Sequence, residues 1–137
     1  LSNLKQQFET VKNTYHKDVM VAETSYAYTL EDSDGHANTV RVGNNDNGAD
    51  TTEPFTEQGQ ATAIRNLINT VNEAGGLGVY YWEPAWIPVP GCGWANEESL
   101  KYIQDPGPGG NEWANQALFD YDGNALPALK VIRDFQK

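Results

Sequence analysis

The stretch Val19-Met20-Val21-Ala22-Glu23-Thr24-Ser25 decides the fold. Four consecutive apolar residues lie between Asp18 and a sharp change of polarity at Glu23, a run of the type found in strands covered on both faces. Leu77-Gly78-Val79-Tyr80-Tyr81-Trp82 is a second run of that type. Between them an amphipathic helix is predicted. Thr56 is its N-cap, Ala61, Ile64, Leu67, Ile68 and Val71 form one apolar stripe, and Gly75-Gly76 stops it. Two apolar strands joined through a helix predict a parallel β-α-β unit.

Outward from this unit, residues 1–16 read as a helix with Leu4, Phe8, Val11 and Tyr15 on one face and Ser2 as its cap. At the other end, Asp122-Gly123-Asn124 makes a turn. A last helix follows, with Pro127 near its start and Leu126, Leu129, Ile132 and Phe135 as its apolar positions. Two long excursions remain: residues 31–54, made of Asn, Asp, Gly and Thr, and residues 83–124, rich in Pro, Gly and Trp. Both leave the C-terminal ends of the strands, where α/β barrels place their chemistry. The expected fold class is therefore α/β: a segment of a (β/α)8 TIM barrel, about its last quarter with a preceding helix. Residues 1–137 would be one portion of a single domain. Leu1 in place of an initiator Met fits a piece of a longer protein.

Composition narrows the partners. The 137 residues carry 19 acidic against 9 basic side chains, a net charge of −10, which argues against nucleic acid or an anionic membrane. Four Trp and seven Tyr make the chain globular rather than a disordered acidic tail. No stretch approaches the roughly 18 apolar residues of a membrane span. The single cysteine, Cys92, cannot form an internal disulfide and reads as an ordinary unpaired thiol.

Glu23 follows the first apolar run, with the hydroxyls of Thr24 and Ser25 beside it. A carboxylate there can serve as nucleophile or as general acid or base, or can simply cap a loop. Glu83 stands at the equivalent place after the second strand, and Pro84 is expected to hold its backbone extended. The two together could form a glycosidase pair, or Glu83 could serve a structural salt bridge. Trp82, Trp86, Trp94 and Trp113 gather in or near the second loop, and Tyr26 and Tyr28 in the first. Such aromatic faces suit sugar rings, and equally suit loop anchoring. Asp32-Ser33-Asp34-Gly35-His36-Ala37-Asn38 looks like the first half of a calcium loop. It is not an EF-hand, because Gly43 stands where the bidentate Glu should be. A different calcium geometry completed by the other loop and a plain Asx-rich turn both remain open. The Asn-Glu pairs at 72, 96 and 111 follow no strand and are set aside as acid/base candidates.

These residues resemble a known family. Val19 to Tyr28, Gly76 to Pro88 and Asn115-Gln116-Ala117-Leu118-Phe119-Asp120 are similar to the C-terminal part of glycoside hydrolase family 53, the arabinogalactan endo-β-1,4-galactanases, and the likeness covers essentially the whole chain. The resemblance implies a clan A barrel whose seventh strand ends at Glu23 and whose eighth ends near Trp82. It makes Glu23 the catalytic nucleophile and leaves the acid/base on a strand absent from this sequence. It also implies Trp82 beneath the sugar at the cleavage subsite, and Trp86, Tyr26 and Glu83 along the substrate groove. Bacterial members tie the two loops with a structural calcium. Asp32, Asp34, His36 and Asn38 match its first ligands and Asn111 a later one, whereas Ala114 falls where a carboxylate is needed. The family further implies a secreted, extracellular protein, monomeric when intact, with a galactan or arabinogalactan substrate. The 137 residues alone are expected to be inactive. A non-catalytic galactan-binding module and a calcium-stabilised structural piece are the alternatives.

Overall fold

The computed structural model describes residues 1–43, 51–90, 93, 95–102 and 111–135. The elements in chain order are α1 (Ser2–Tyr15), β1 (Val21–Thr24), α2 (Glu57–Glu73), β2 (Val79–Tyr81), α3 (Glu97–Tyr102), a single 3-10 turn (Ala114–Gln116) and α4 (Pro127–Asp134). β1 and β2 pair in parallel with α2 as their crossover, as the apolar runs predict. Cys92 and Trp94 lie outside the described residues.

Helix α2 begins where its cap chemistry puts it. The Thr56 side chain accepts from the Gly59 amide at 3.0 Å, satisfying one of the free donors of the first turn. Gly59 itself has no substitute: a Cβ there would lie 1.8 Å from the Pro54 carbonyl oxygen. The helix ends at Ala74, and Gly75 takes φ 69° to turn the chain toward β2. Helix α1 differs from expectation at its start, since Leu1 is the N-cap and no side chain caps it. Ser2 is already the first helical residue.

Two apolar clusters hold the unit. Phe8 of α1 meets Val71 of α2 and Ala74, the residue that caps its C-terminal end, flanked by Leu4, Val19, Val21, Leu67 and Val79. Ala61 and Ile64 of α2 meet Ala128 of α4 and Leu118, with Ile68, Tyr81, Phe119, Leu129 and Val131 around them. In α4 the contact therefore runs through Ala128, Leu129 and Val131, while Ile132, expected in the stripe, is 38% exposed. Among the described residues, helices cover one face of the sheet. Met20, Tyr80 and Trp82 are exposed on the other, so the double coverage expected of these strands is half met.

The second excursion is more structured than its composition suggests. It contains α3, capped by Asn96 Oδ1 accepting from the Ser99 amide at 2.8 Å, and the 3-10 turn. It closes with Phe119 bridging Ala125. Among the described residues no helix is long and apolar enough to cross a membrane.

Candidate functional site

β1 extends through Thr24, so Glu23 lies within the strand rather than just after it. Its position is set by an irregularity in the pairing: Val21 aligns with Val79 and Thr24 with Tyr81, three steps on one strand against two on the other. This is a β-bulge. Strict alternation would place Glu23 on the side of Val21, beneath the helices. The extra residue instead keeps Val21 and Thr24 on the half-buried side and leaves Ala22 and Glu23 exposed. Bulges of this kind re-aim side chains next to active sites. The Glu23 carboxylate makes no hydrogen bond or ion pair among the described residues.

Trp82 leaves β2 beside it, its amide donating to the Thr24 carbonyl at 2.8 Å. Trp82 is 42% exposed. Glu83 departs from expectation: it is not extended but takes φ 49°, a left-handed conformation that is strained for a residue other than glycine. Two hydrogen bonds fix the turn around it. The Trp86 amide donates to the Glu83 carbonyl, and the Leu118 amide donates to the Pro84 carbonyl at 2.7 Å. Tertiary contacts here outweigh the local preference of a residue before proline.

The aromatic residues divide into two groups. Trp82 and the half-buried Trp86 stand at the strand end and the start of the second loop. Tyr26 and Tyr28 are each only 7% exposed. The Tyr26 hydroxyl donates to the Glu53 carbonyl at 2.7 Å and accepts from the Glu53 amide, while its ring lies 5.7 Å from that of Phe55. The Tyr26 side chain is thus anchored between Glu53 and Phe55. Trp113 is half-buried in the second loop.

The acidic turn folds as linked Asx turns. Asp32 Oδ1 accepts from the amides of Asp34 and Gly35, and Asp34 Oδ1 from that of His36. The second loop docks directly on it. The Asn111 amide donates to Asp34 Oδ2 at 3.1 Å, His36 Nε2 lies 3.2 Å from Glu112 Oε1, and the Thr39 amide donates to the Glu112 carbonyl. Asn111 is fully buried, its carboxamide bridging the Trp86 carbonyl and the Trp113 amide. Ala114 is buried in the 3-10 turn. Among the described residues, Glu112, set aside above as half of an Asn-Glu pair, is a carboxylate that reaches the first loop from the second.

Among the described residues no three His, Cys, Asp or Glu side chains gather as a metal-holding group. Asp32, Asp34, Asn38 and Asn111 all carry side-chain oxygens. Asn38 is 2% exposed, and its Oδ1 is a buried acceptor with no partner among the described residues.

Sequence reasoning missed the polar residues behind this surface. Gln60 is fully buried, its amide group donating at 2.9 Å to both the Tyr26 and Ala117 carbonyls. Asn115, also fully buried, donates to the Thr29 and Val40 carbonyls at 2.8 and 2.7 Å.

A parallel β-α-β unit with a carboxylate and an exposed tryptophan at its strand ends defines an α/β protein of the class in which chemistry is placed on the C-terminal edge of the strands. Residues 1–132 match the family described as Glycosyl hydrolase family 53, and the chain belongs to that family. It is 45% identical to the endo-beta-1,4-galactanase of Bacillus subtilis over 153 aligned positions, covering 97% of this chain and 35% of that protein. It is 33% identical to the arabinogalactan endo-beta-1,4-galactanase of Cellvibrio japonicus, covering 99% of this chain and 33% of that one. Among solved structures, the GH53 catalytic domain of Ignisphaera aggregans superposes with a TM-score of 0.78 at 41% identity, over 96% of this chain and 34% of that chain. The chain thus spans about a third of the length of these relatives. The family is one of TIM barrels, and the fold described above is part of that architecture.

Proposed function

We propose that residues 1–137 are the C-terminal portion of one TIM-barrel catalytic domain, with β1 and β2 as its seventh and eighth strands. The complete barrel would be an endo-acting, retaining β-1,4-galactanase of galactan and type I arabinogalactan. The observation that carries this reading is the bulge that turns Glu23 out of the helix-covered side at the strand end, next to Trp82. The names of the relatives supply the substrate class.

In this reading the galactose ring at the cleavage subsite rests on Trp82, with Trp86 and Glu83 further along the groove. The Glu23 carboxylate attacks the anomeric carbon as the glycosidic bond breaks. The departing oxygen takes a proton from a carboxylic acid on a strand outside residues 1–137. That group, now a carboxylate, removes a proton from water, the water oxygen attacks the same carbon, and Glu23 leaves as a carboxylate. Two displacements restore the β configuration. Retention by this route needs the two carboxyl groups about 5–5.5 Å apart.

The reading also places the protein outside the cell, as a monomer with a polysaccharide partner. Calcium would be a structural cofactor where the two loops meet, held by oxygens of Asp32, Asp34 and Asn38, with His36 and Asn111 completing or orienting the set. Asn38 Oδ1 supports this, being a buried acceptor left for a cation to satisfy. Ala114 contributes no oxygen side chain, which favours weak binding and a retained water. Millimolar calcium is expected to raise the melting temperature and excess chelator to lower it, since a ligand of the folded state stabilises by mass action. A midpoint indifferent to both would remove calcium from the proposal.

The direct test is hydrolysis of linear β-1,4-galactan by the complete barrel chain, with the anomeric configuration of the first product read by proton NMR. Release of β-configured oligosaccharides is expected, and none from residues 1–137 alone. Binding without cleavage would favour a non-catalytic galactan-binding role, and α-configured first products would exclude a retaining mechanism.

A further inference from the structure

Tyr81 takes no part in the reaction above, yet four segments of the chain meet at its hydroxyl. It accepts from the Tyr26 amide at 3.0 Å and donates to the Gln116 carbonyl at 2.7 Å, with the Tyr26 carbonyl 3.2 Å away. Gln60 of α2 joins through its Nε2 at 3.5 Å and binds the Tyr26 and Ala117 carbonyls with the same group. Ser25 Oγ adds a parallel link to Gln116 Oε1 at 2.8 Å. The segment that follows Glu23 is thus fastened to the end of β2, to α2 and to the second loop.

The bulge makes such fastening necessary. A regular ladder would hold Glu23 by hydrogen bonds on both sides, but the pairing is interrupted between Val21 and Thr24. Upstream, the Val21 amide donates to the Gly78 carbonyl, and downstream the Trp82 amide donates to the Thr24 carbonyl. The next restraints along the chain are the Ser25–Gln116 bond and the Tyr26–Tyr81 pair. We propose that Tyr81 is a positioning residue for Glu23: its hydroxyl, with Gln60, Gln116 and Ser25, fixes the backbone on which the nucleophile stands and locks it to the strand that carries Trp82. This rests on the assignment of Glu23 as nucleophile. Burial pushes the Tyr81 phenol up to about 12, so it stays protonated across any practical assay range. A role in proton transfer is thereby separable from a role in placement.

The test compares Tyr81→Phe, Ser25→Ala and Glu23→Gln in the complete barrel chain, on galactan and on a fluorinated aryl galactobioside that traps the glycosyl-enzyme. Such a probe has a leaving group that needs no acid, so its trapping rate reports the placement of Glu23 alone. Tyr81→Phe is expected to lower kcat about 10- to 100-fold, the scale of a misplaced reacting group. KM should stay within about twofold, the pH profile should keep its shape, and trapping should slow in parallel with kcat. Ser25→Ala should move in the same direction by less, and it carries the test if Tyr81→Phe fails to fold. With Glu23→Gln inactive, full kcat and full trapping rate in the variants, whatever their melting temperatures, would overturn the positioning role and leave the nucleophile assignment standing. Activity retained in Glu23→Gln would overturn both.

Discussion

Glu23→Gln in the complete barrel is expected to lower hydrolysis of β-1,4-galactan by more than about 10⁴-fold, the range in which loss of a covalent nucleophile is felt. The substitution removes one charge and keeps shape. No hydrogen bond or ion pair among the described residues depends on that carboxylate, so the fold has little to lose. The effect should fall on kcat, with the melting temperature unchanged. A second variant identifies the step. Glu23→Ala opens a space beneath the anomeric carbon, and with an aryl galactobioside whose leaving group needs no acid, added azide should restore turnover by attacking from that face. One displacement then occurs where two did, so the product is the α-galactosyl azide. Glu23→Gln, still filling the space, should not respond. If Glu23→Gln keeps more than about a hundredth of the activity, or azide yields no α product, the nucleophile lies elsewhere.

The β-α-β unit is legible in the sequence because its signals are local. The apolar runs, the Thr56 cap and the Gly75-Gly76 stop each act within a few residues, and each reappears in the structure. Glu23 could be singled out but not placed. Its outward aim comes from a mismatch of one residue against a strand more than fifty positions away. Glu83 shows the same limit, since its left-handed turn is set by bonds to Trp86 and by the docking of Leu118 on Pro84. In α4 the large apolar residues were part of the answer: Leu126 is 4% exposed and Leu129 packs on the cluster, but Ile132 is 38% exposed. The contact with α2 also uses Ala128, fully buried with Ala61 and Ile64, because a small residue lets two helices approach closely.

Buried amides were the least legible of all. Gln60, Asn111, Asn115 and Gln116 carry no apolar pattern to mark them as core, yet each is at most 4% exposed. Long irregular loops explain why. Their backbone carbonyls find no ladder or helix, and those buried against the unit must bond to something. Carboxamides at the right depth supply the donors.

Asn115→Ala is therefore expected to lower the unfolding free energy by about 2–4 kcal/mol, since a buried acceptor left without its donor costs about 1–3 kcal/mol and two are affected. The Asn115 side-chain amide donates to the Thr29 and Val40 carbonyls, and the Asn115 backbone carbonyl accepts from the Tyr28 amide at 2.9 Å. Asn115→Asp separates chemistry from packing, because it keeps the volume and exchanges the donor for an acceptor. At neutral pH a charged oxygen would then face two carbonyls. That site favours the protonated acid, so the folded-state pKa of the introduced carboxyl is raised above its unfolded value. The variant is accordingly least destabilised below the unfolded value and loses stability as pH rises through the raised one. Urea titrations at several pH values would show this as a gap to the parent chain that widens upward, while the gap for Asn115→Ala stays level. Calcium cannot substitute for the missing donor, because it would bind oxygens of the acidic turn and leave both carbonyls unpaired. Saturating calcium should therefore shift the parent and both variants by similar amounts. If Asn115→Ala costs less than about 0.5 kcal/mol, the two loops are held chiefly by Asp34, His36 and their partners Asn111 and Glu112, and Asn115 only fills space between them.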